Sequence, residues 1–115
     1  MAIRRIVKEG DPILRMKCRP VTEFGEKLNQ LLDDMHETLE QANGVGLAAP
    51  QVGYCRRFFI MHLGDVKIEA INPEIKKTSG KQYVLEGCLS VPNKWGYVTR
   101  PNKCKFRAQN RKGEW

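Results

Sequence analysis

No stretch of this chain approaches the ~20 consecutive apolar residues that a membrane-spanning helix needs. Its opening, Met1-Ala2-Ile3-Arg4-Arg5-Ile6-Val7-Lys8-Glu9-Gly10-Asp11, has no apolar leader core. The four cysteines, Cys18, Cys55, Cys88 and Cys104, form no Cys-x-x-Cys pair. That argues against a zinc ribbon and, with no leader, against a disulfide framework, so a reducing cytoplasm is the expected compartment. No internal repeat, low-complexity tract or linker appears, and residues 1–115 read as one domain. Acidic residues are missing from Gly87 to Gly113, where Lys94, Arg100, Lys103, Lys105, Arg107, Arg111 and Lys112 all fall. Those seven equal the whole formal net charge of +7. A solvated strand face or an unpaired surface accounts for them better than an RNA site. No aromatic-interleaved RNA-binding pattern or helix-turn-helix accompanies them.

What is present fits a soluble globular domain: 115 residues, 41% hydrophobic and 29% charged. Leu28, Leu31, Leu32, Met35, Leu39 and Ala42 recur at helical spacing, and Asn43-Gly44 supplies a stop signal. Beyond it the period becomes that of strands. Arg57 to Leu63 and Val66 to Ile71 flank Gly64-Asp65, a pairing suited to a type II′ hairpin. Tyr83-Val84-Leu85 reads as a short strand. Cys104, Phe106 and Ala108 alternate with Lys103, Lys105, Arg107 and Gln109, as in a half-buried strand. Asn110 to Gly113 reads as a turn and Glu114-Trp115 as the start of a returning strand.

Two segments carry candidate chemistry. The first is Gly44-Val45-Gly46-Leu47-Ala48-Ala49-Pro50-Gln51. It follows a helix, whereas a dinucleotide loop follows a strand, and it lacks the Gly-Lys-Ser/Thr of a P-loop. It reads equally as a glycine helix stop before a small-residue core segment. Two glycines and two alanines would also let a backbone or ligand approach closely, with the Gln51 amide at the end of that surface. The second is Glu86-Gly87-Cys88-Leu89-Ser90. A lone cysteine after glycine is most often a small buried hydrophobe. A thiolate nucleophile would need His36 or His62, the two histidines of the chain, as partner. His62 falls in a strand pattern, where a satisfied or exposed histidine is expected. His36-Glu37-Thr38-Leu39-Glu40 places His36 and Glu40 on one helix face, but on the polar flank of the leucine stripe. An exposed flank is expected there, not a metal site.

Taken in order, the two segments closely resemble the first two signature motifs of the peptide deformylases, metal hydrolases that remove the formyl group from N-terminal methionine. Gly10-Asp11-Pro12-Ile13-Leu14-Arg15 and Val91-Pro92-Asn93-Lys94-Trp95-Gly96 extend the likeness over nearly the whole chain. The resemblance implies an α+β fold, with a mixed or antiparallel sheet packed on the Leu28-to-Ala42 helix. It implies that Gln51 and the Leu89 N–H stabilise the formyl oxyanion and that Val45, Gly46 and Gly87 line the substrate groove. It also implies that Cys88 is a metal ligand, for ferrous iron or else zinc, nickel or cobalt. N-formyl-methionyl peptides, and through them the ribosome, are the implied partners.

The family's third signature, a helical His-Glu-x-x-His bearing two ligands and the general base, has no counterpart in these 115 residues. We therefore expect no turnover from them alone. We also expect a continuation beyond Trp115 whose metal-binding helix opens within roughly 10–25 residues, given usual strand and connection lengths. The alternatives are a deformylase-like protein that binds formyl-methionyl peptides without turnover, and a basic ribosome- or RNA-associated module.

Overall fold

The computed structural model describes residues 3–115; Met1 and Ala2, which open the segment read as leaderless, lie outside the described residues. Its α-helix α1 spans Glu26–Ala42. The leucine stripe explains its placement: Leu32, Met35 and Leu39 are fully buried, with Leu28 and Leu31 nearly so. At ~1.5–3 kcal/mol for each large apolar side chain removed from water, that face dominates the helix's stability. Asn43 takes the left-handed conformation (φ 54°) that ends it. The Gly44 N–H then donates to Leu39 O and the Asn43 N–H to Glu40 O, both at 3.2 Å, which satisfies the last carbonyls.

Six strands follow: β1 (Gly46–Ala48), β2 (Phe58–Leu63), β3 (Val66–Ser79), β4 (Gln82–Cys88), β5 (Val91–Arg100) and β6 (Lys103–Gln109). They form an antiparallel four-stranded sheet in the order β1-β2-β3-β6 and a separate antiparallel hairpin, β4-β5. The fold is thus α+β with antiparallel sheets. One face of the larger sheet covers α1, and Leu47, Phe58, Ile60 and Ile71 complete the core with the helix residues, Ala49 and Val52.

The Gly64-Asp65 hairpin forms as expected, with Gly64 at φ 62° and Leu63 opposite Val66. Two expectations need correction, and one strand was not foreseen. Strand β3 does not end at Ile71. Asn72 turns left-handed (φ 52°) and Pro73 offers no N–H, so the strand bulges and continues to Ser79 along β6. The Val91–Arg100 segment, whose alternation Pro92 and Gly96 obscure, is a full strand. Glu114-Trp115 starts no strand. The Asn110 N–H donates to Glu114 O (2.8 Å), and Asn110 Oδ1 accepts from the Lys112 and Glu114 N–H groups, which closes a turn instead. Strand β6 does form, but its apolar face is poorly covered: Phe106 is 38% exposed and Cys104 is exposed.

Candidate functional site

The chain leaves α1 through the Asn43-Gly44 cap and enters β1 directly. A Cβ on Gly44 would fall 2.8 Å from Leu39 Cδ1 and 2.9 Å from Leu89 Cδ1. The first close approach in this segment therefore serves the core: it lets Leu89, from the tip of the β4-β5 hairpin, dock on the end of α1. Gly46 is less crowded, with Ile60 O at 3.6 Å from the built Cβ. After β1, a 3₁₀ turn over Ala49–Val52 carries Gln51.

The Gln51 carboxamide is held at both ends. Its Oε1 accepts from the Ala48 N–H (2.9 Å), which fixes the Nε2 group on the other side. Nε2 then donates to Ser90 Oγ (3.0 Å) and points at Cys88 Sγ (3.7 Å). Ser90 is itself buried. Two backbone bonds from the N-terminal segment complete the junction: the Val7 N–H donates to Gln51 O and the Glu9 N–H to Ser90 O, each at 2.7 Å. That segment is anchored on α1, where Arg4 pairs with the buried Asp34 (2.7 Å) and its N–H donates to Thr38 Oγ1 (2.8 Å).

The two segments thus face each other across an open cleft of about 630 Å³. Val45, Gly46, Gln51, Gly87, Cys88 and Leu89 all line it, so the six candidate residues are brought together. Val91 to Trp95 form the rest of the hairpin wall. The Trp95 ring lies against Gly87, where a Cβ would meet it at 2.8 Å. Cys88 is an exposed free thiol, not the buried hydrophobe that a lone cysteine usually is.

The sequence matches the polypeptide deformylase family model over residues 3–115. The chain belongs to the peptide deformylase family. It is 55% identical over 114 residues to the peptide deformylase of Clostridium botulinum (strain Alaska E43 / Type E3), covering 99% of this chain and 78% of that protein. The peptide deformylase of Caldicellulosiruptor bescii is 50% identical over 113 residues, covering 98% of this chain and 68% of its own length. Among solved structures, the Thermotoga maritima peptide deformylase superposes with a TM-score of 0.95 at 42% identity, covering 97% of this chain and 77% of that one. A Met-Ala-Ser-bound peptide deformylase from Acinetobacter baumannii superposes with a TM-score of 0.92 at 34% identity, covering 97% and 79%.

The donor set decides how far this deformylase chain can be taken toward a metal. Cys88 is the one Cys, His, Asp or Glu side chain lining the cleft, and no group of three such side chains among the described residues is placed to hold a metal ion. A hydrolytic zinc-type site uses three protein ligands and an open position. One thiol does not meet that requirement, so the described residues do not fit a resident catalytic metal by themselves.

Of the two residues that share a face of α1, His36 and Glu40, only Glu40 is exposed as expected. His36 is not on an exposed flank: it is half-buried, with Nε2 2.8 Å from Glu69 Oε2 and Nδ1 2.7 Å from His62 Nε2. With the Glu69 carboxylate accepting from His36 Nε2–H, a neutral His36 takes the His62 Nε2–H on its other nitrogen. The two rings are nearly coplanar, 3° apart. Arg111 closes the chain of contacts by donating to Glu69 (2.5 Å) and Asp33 (3.1 Å). Burial pushes the Glu69 carboxyl up, but its bonds from Arg111 and His36 outweigh that and hold it below the ordinary carboxylate range. Glu40 is exposed and turns to Lys67 (3.0 Å), so it shares no cation site with His36.

Three of the seven basic residues counted above find intrachain partners. Arg100 forks onto Glu86 (2.5 and 2.7 Å), Arg107 reaches Glu74 and stacks over Trp115 (4.2 Å), and Arg111 is bound as described. The basic stretch is thus partly neutralised within the chain, which takes support from the nucleic-acid alternative.

Proposed function

We propose that this cleft receives the N-terminus of an N-formyl-methionyl peptide and that its residues are the substrate-holding half of a deformylase site. Val45, Gly46 and Gly87 line the groove for the peptide backbone. Gln51 Nε2 and the Leu89 N–H donate to the formyl oxygen, and Cys88 offers a thiolate. The supporting observation is the Gln51 carboxamide, pinned by Ala48 and Ser90 so that its N–H₂ faces Cys88 Sγ at 3.7 Å. A donor oriented before the ligand arrives spends little reorganisation at the moment charge develops on the oxygen. In the cleft, the ligand oxygen would replace the weak sulfur contact and leave the Ser90 bond in place.

Ferrous iron, zinc, nickel or cobalt would supply an activated water in a complete enzyme of this kind. The described residues provide one ligand and no general base, and loss of base assistance alone costs ~10²–10⁴ in rate. A cytoplasmic, single-domain protein acting on nascent chains accords with this reading. No helix among the described residues is long and apolar enough to cross a membrane.

The test uses the 115-residue polypeptide, reduced and anaerobic, with and without ferrous iron. Formyl-Met-Ala-Ser should bind saturably, reported by Trp95 fluorescence, and Gln51→Ala should weaken binding about fivefold, the equivalent of one ordinary hydrogen bond. No formyl hydrolysis should follow. Turnover that tracks the protein through repurification would overturn the non-catalytic half of the proposal. Affinity unaltered by Gln51→Ala would overturn the binding half.

A further inference from the structure

Outside the cleft, two of the four cysteines lie side by side. Cys18 follows the 3₁₀ turn Pro12–Arg15, and Cys55 lies in the connection from Gln51 to β2. The two segments run parallel there: Arg19 bridges Arg56, and the Arg57 N–H donates to Arg19 O at 2.9 Å. One residue back on each, beside this single bridge, come Cys18 and Cys55. Bridged backbones run about 4.8 Å apart, inside the roughly 4.4–6.8 Å Cα spacing that a disulfide accepts. Cys55 Sγ donates to Lys17 O (3.6 Å), which sets that sulfur against the residue next to Cys18. Both are half-buried and both are free.

We propose that Cys18 and Cys55 are a reversible oxidation site, closing to an intramolecular disulfide when a peroxide or a small-molecule disulfide is supplied. With hydrogen peroxide, one thiolate attacks an oxygen and the O–O bond breaks. The departing hydroxide takes up a proton as water, leaving a sulfenic acid. The second sulfur then forms the S–S bond and expels that oxygen as a second water. Two thiols are oxidised and one peroxide is reduced. With oxidised glutathione, the same two thiols leave as the disulfide and two glutathione thiols are released.

Burial holds the Cys18 thiol above its ordinary range, and Cys55 beside it adds to this against the pull of Arg57 and Arg56. Cys18 therefore rests as the protonated thiol until the oxidant arrives. The closed bond would enclose residues 19–54, which include α1 and the whole Gly44-to-Gln51 segment. It would tie the N-terminal segment to the exit from that motif without occupying the cleft.

The experiment treats the reduced 115-residue protein with oxidised glutathione or hydrogen peroxide, then maps disulfides by non-reducing proteolysis and mass spectrometry. A peptide pair joining Cys18 to Cys55, two hydrogens lighter than its reduced form and separated by dithiothreitol, is the expected result. A Cys88→Ser/Cys104→Ser protein, which keeps the proposed pair, should form the same link and unfold several degrees higher when oxidised. Cys55→Ser should lose it. Glutathione found on Cys18 and Cys55 separately would overturn the proposal. So would links to Cys88, to Cys104 or between molecules in place of this pair.

Discussion

The body formed by α1 and the four-stranded sheet and the hairpin formed by β4 and β5 bury their side chains very differently. In the body, Leu32, Met35, Leu39, Ala49, Ile60 and Ile71 are wholly inaccessible. On the hairpin, Tyr83 is 69%, Leu85 52%, Trp95 71% and Tyr97 61% exposed, and Tyr83 stacks on Tyr97 with centroids 5.1 Å apart. Yet the hairpin's tip is secured, through Leu89 on the core and Ser90 on Gln51 and Glu9. Structural order here is concentrated where the candidate chemistry sits. The hairpin is fixed at its functional end and thinly covered along its length.

Substitutions matched across the two regions should expose that difference, most strongly in the core. Leu39→Ala should cost about 2–5 kcal/mol in denaturant unfolding. Tyr97→Ala, which gives up mainly one ring contact, should cost less than about 1 kcal/mol. Equal losses would mean that the hairpin packs as tightly as the body.

A finer comparison uses two glycines with the same clearance. A Cβ at Gly44 or at Gly87 would meet a neighbour at 2.8 Å, but the neighbour at Gly44 is the enclosed Leu39 and at Gly87 the exposed Trp95. Gly44→Ala should therefore cost about 1–3 kcal/mol through overpacking. Gly87→Ala should leave the thermal midpoint nearly unchanged while shifting tryptophan emission as the ring swings away. A stability loss at Gly87 comparable with that at Gly44 would mean that the exposed Trp95 ring does not give way to the added methyl.

The smallest effect concerns acid. Burial lowers the His62 pKa, and the neighbouring His36 and Lys67 lower it further, against a weaker opposing pull from Glu40. Because the unfolded chain then takes up this proton first, stability should decline as pH falls below the unfolded value of ~6.5. Glu69, whose pKa is depressed in the fold, contributes stability above ~4.3 that is lost as pH falls through its lower folded value. His62→Gln should flatten the upper limb of the stability–pH curve and leave the lower one. Coincident curves for the two proteins from pH 7.5 to 5 would remove His62 from this account.

The helix was legible because its apolar stripe is the buried face, and the Gly64-Asp65 hairpin because glycine supplies the positive φ its turn needs. Where the period is interrupted by residues with tertiary reasons for being there, the reading failed. Asn72 breaks the β3 pattern, yet its side chain accepts from the Val21 N–H (2.7 Å) and donates to Val21 O (2.9 Å) and Gln109 Oε1 (2.7 Å). Gly87 interrupts β4 because Trp95 occupies its side-chain space. The meeting of Gln51 with Cys88 came from the family resemblance, since nothing in a 37-residue separation announces it. Ser90 and the His36–His62 pair went unread for the same reason. Each contact joins residues from elements that only the packing of α1 and the hairpin on the larger sheet brings together.

The two backbone bonds from Val7 and Glu9 give the N-terminal segment the character of a caliper. Its jaws close on Gln51 O and Ser90 O, carbonyls 39 positions apart in sequence, from residues only two apart. The opening between the two motifs is therefore gauged by a single dipeptide step of backbone, a length that no side-chain substitution alters. A one-residue insertion or deletion between Val7 and Glu9 would reset the width of the cleft while every residue lining it stayed the same.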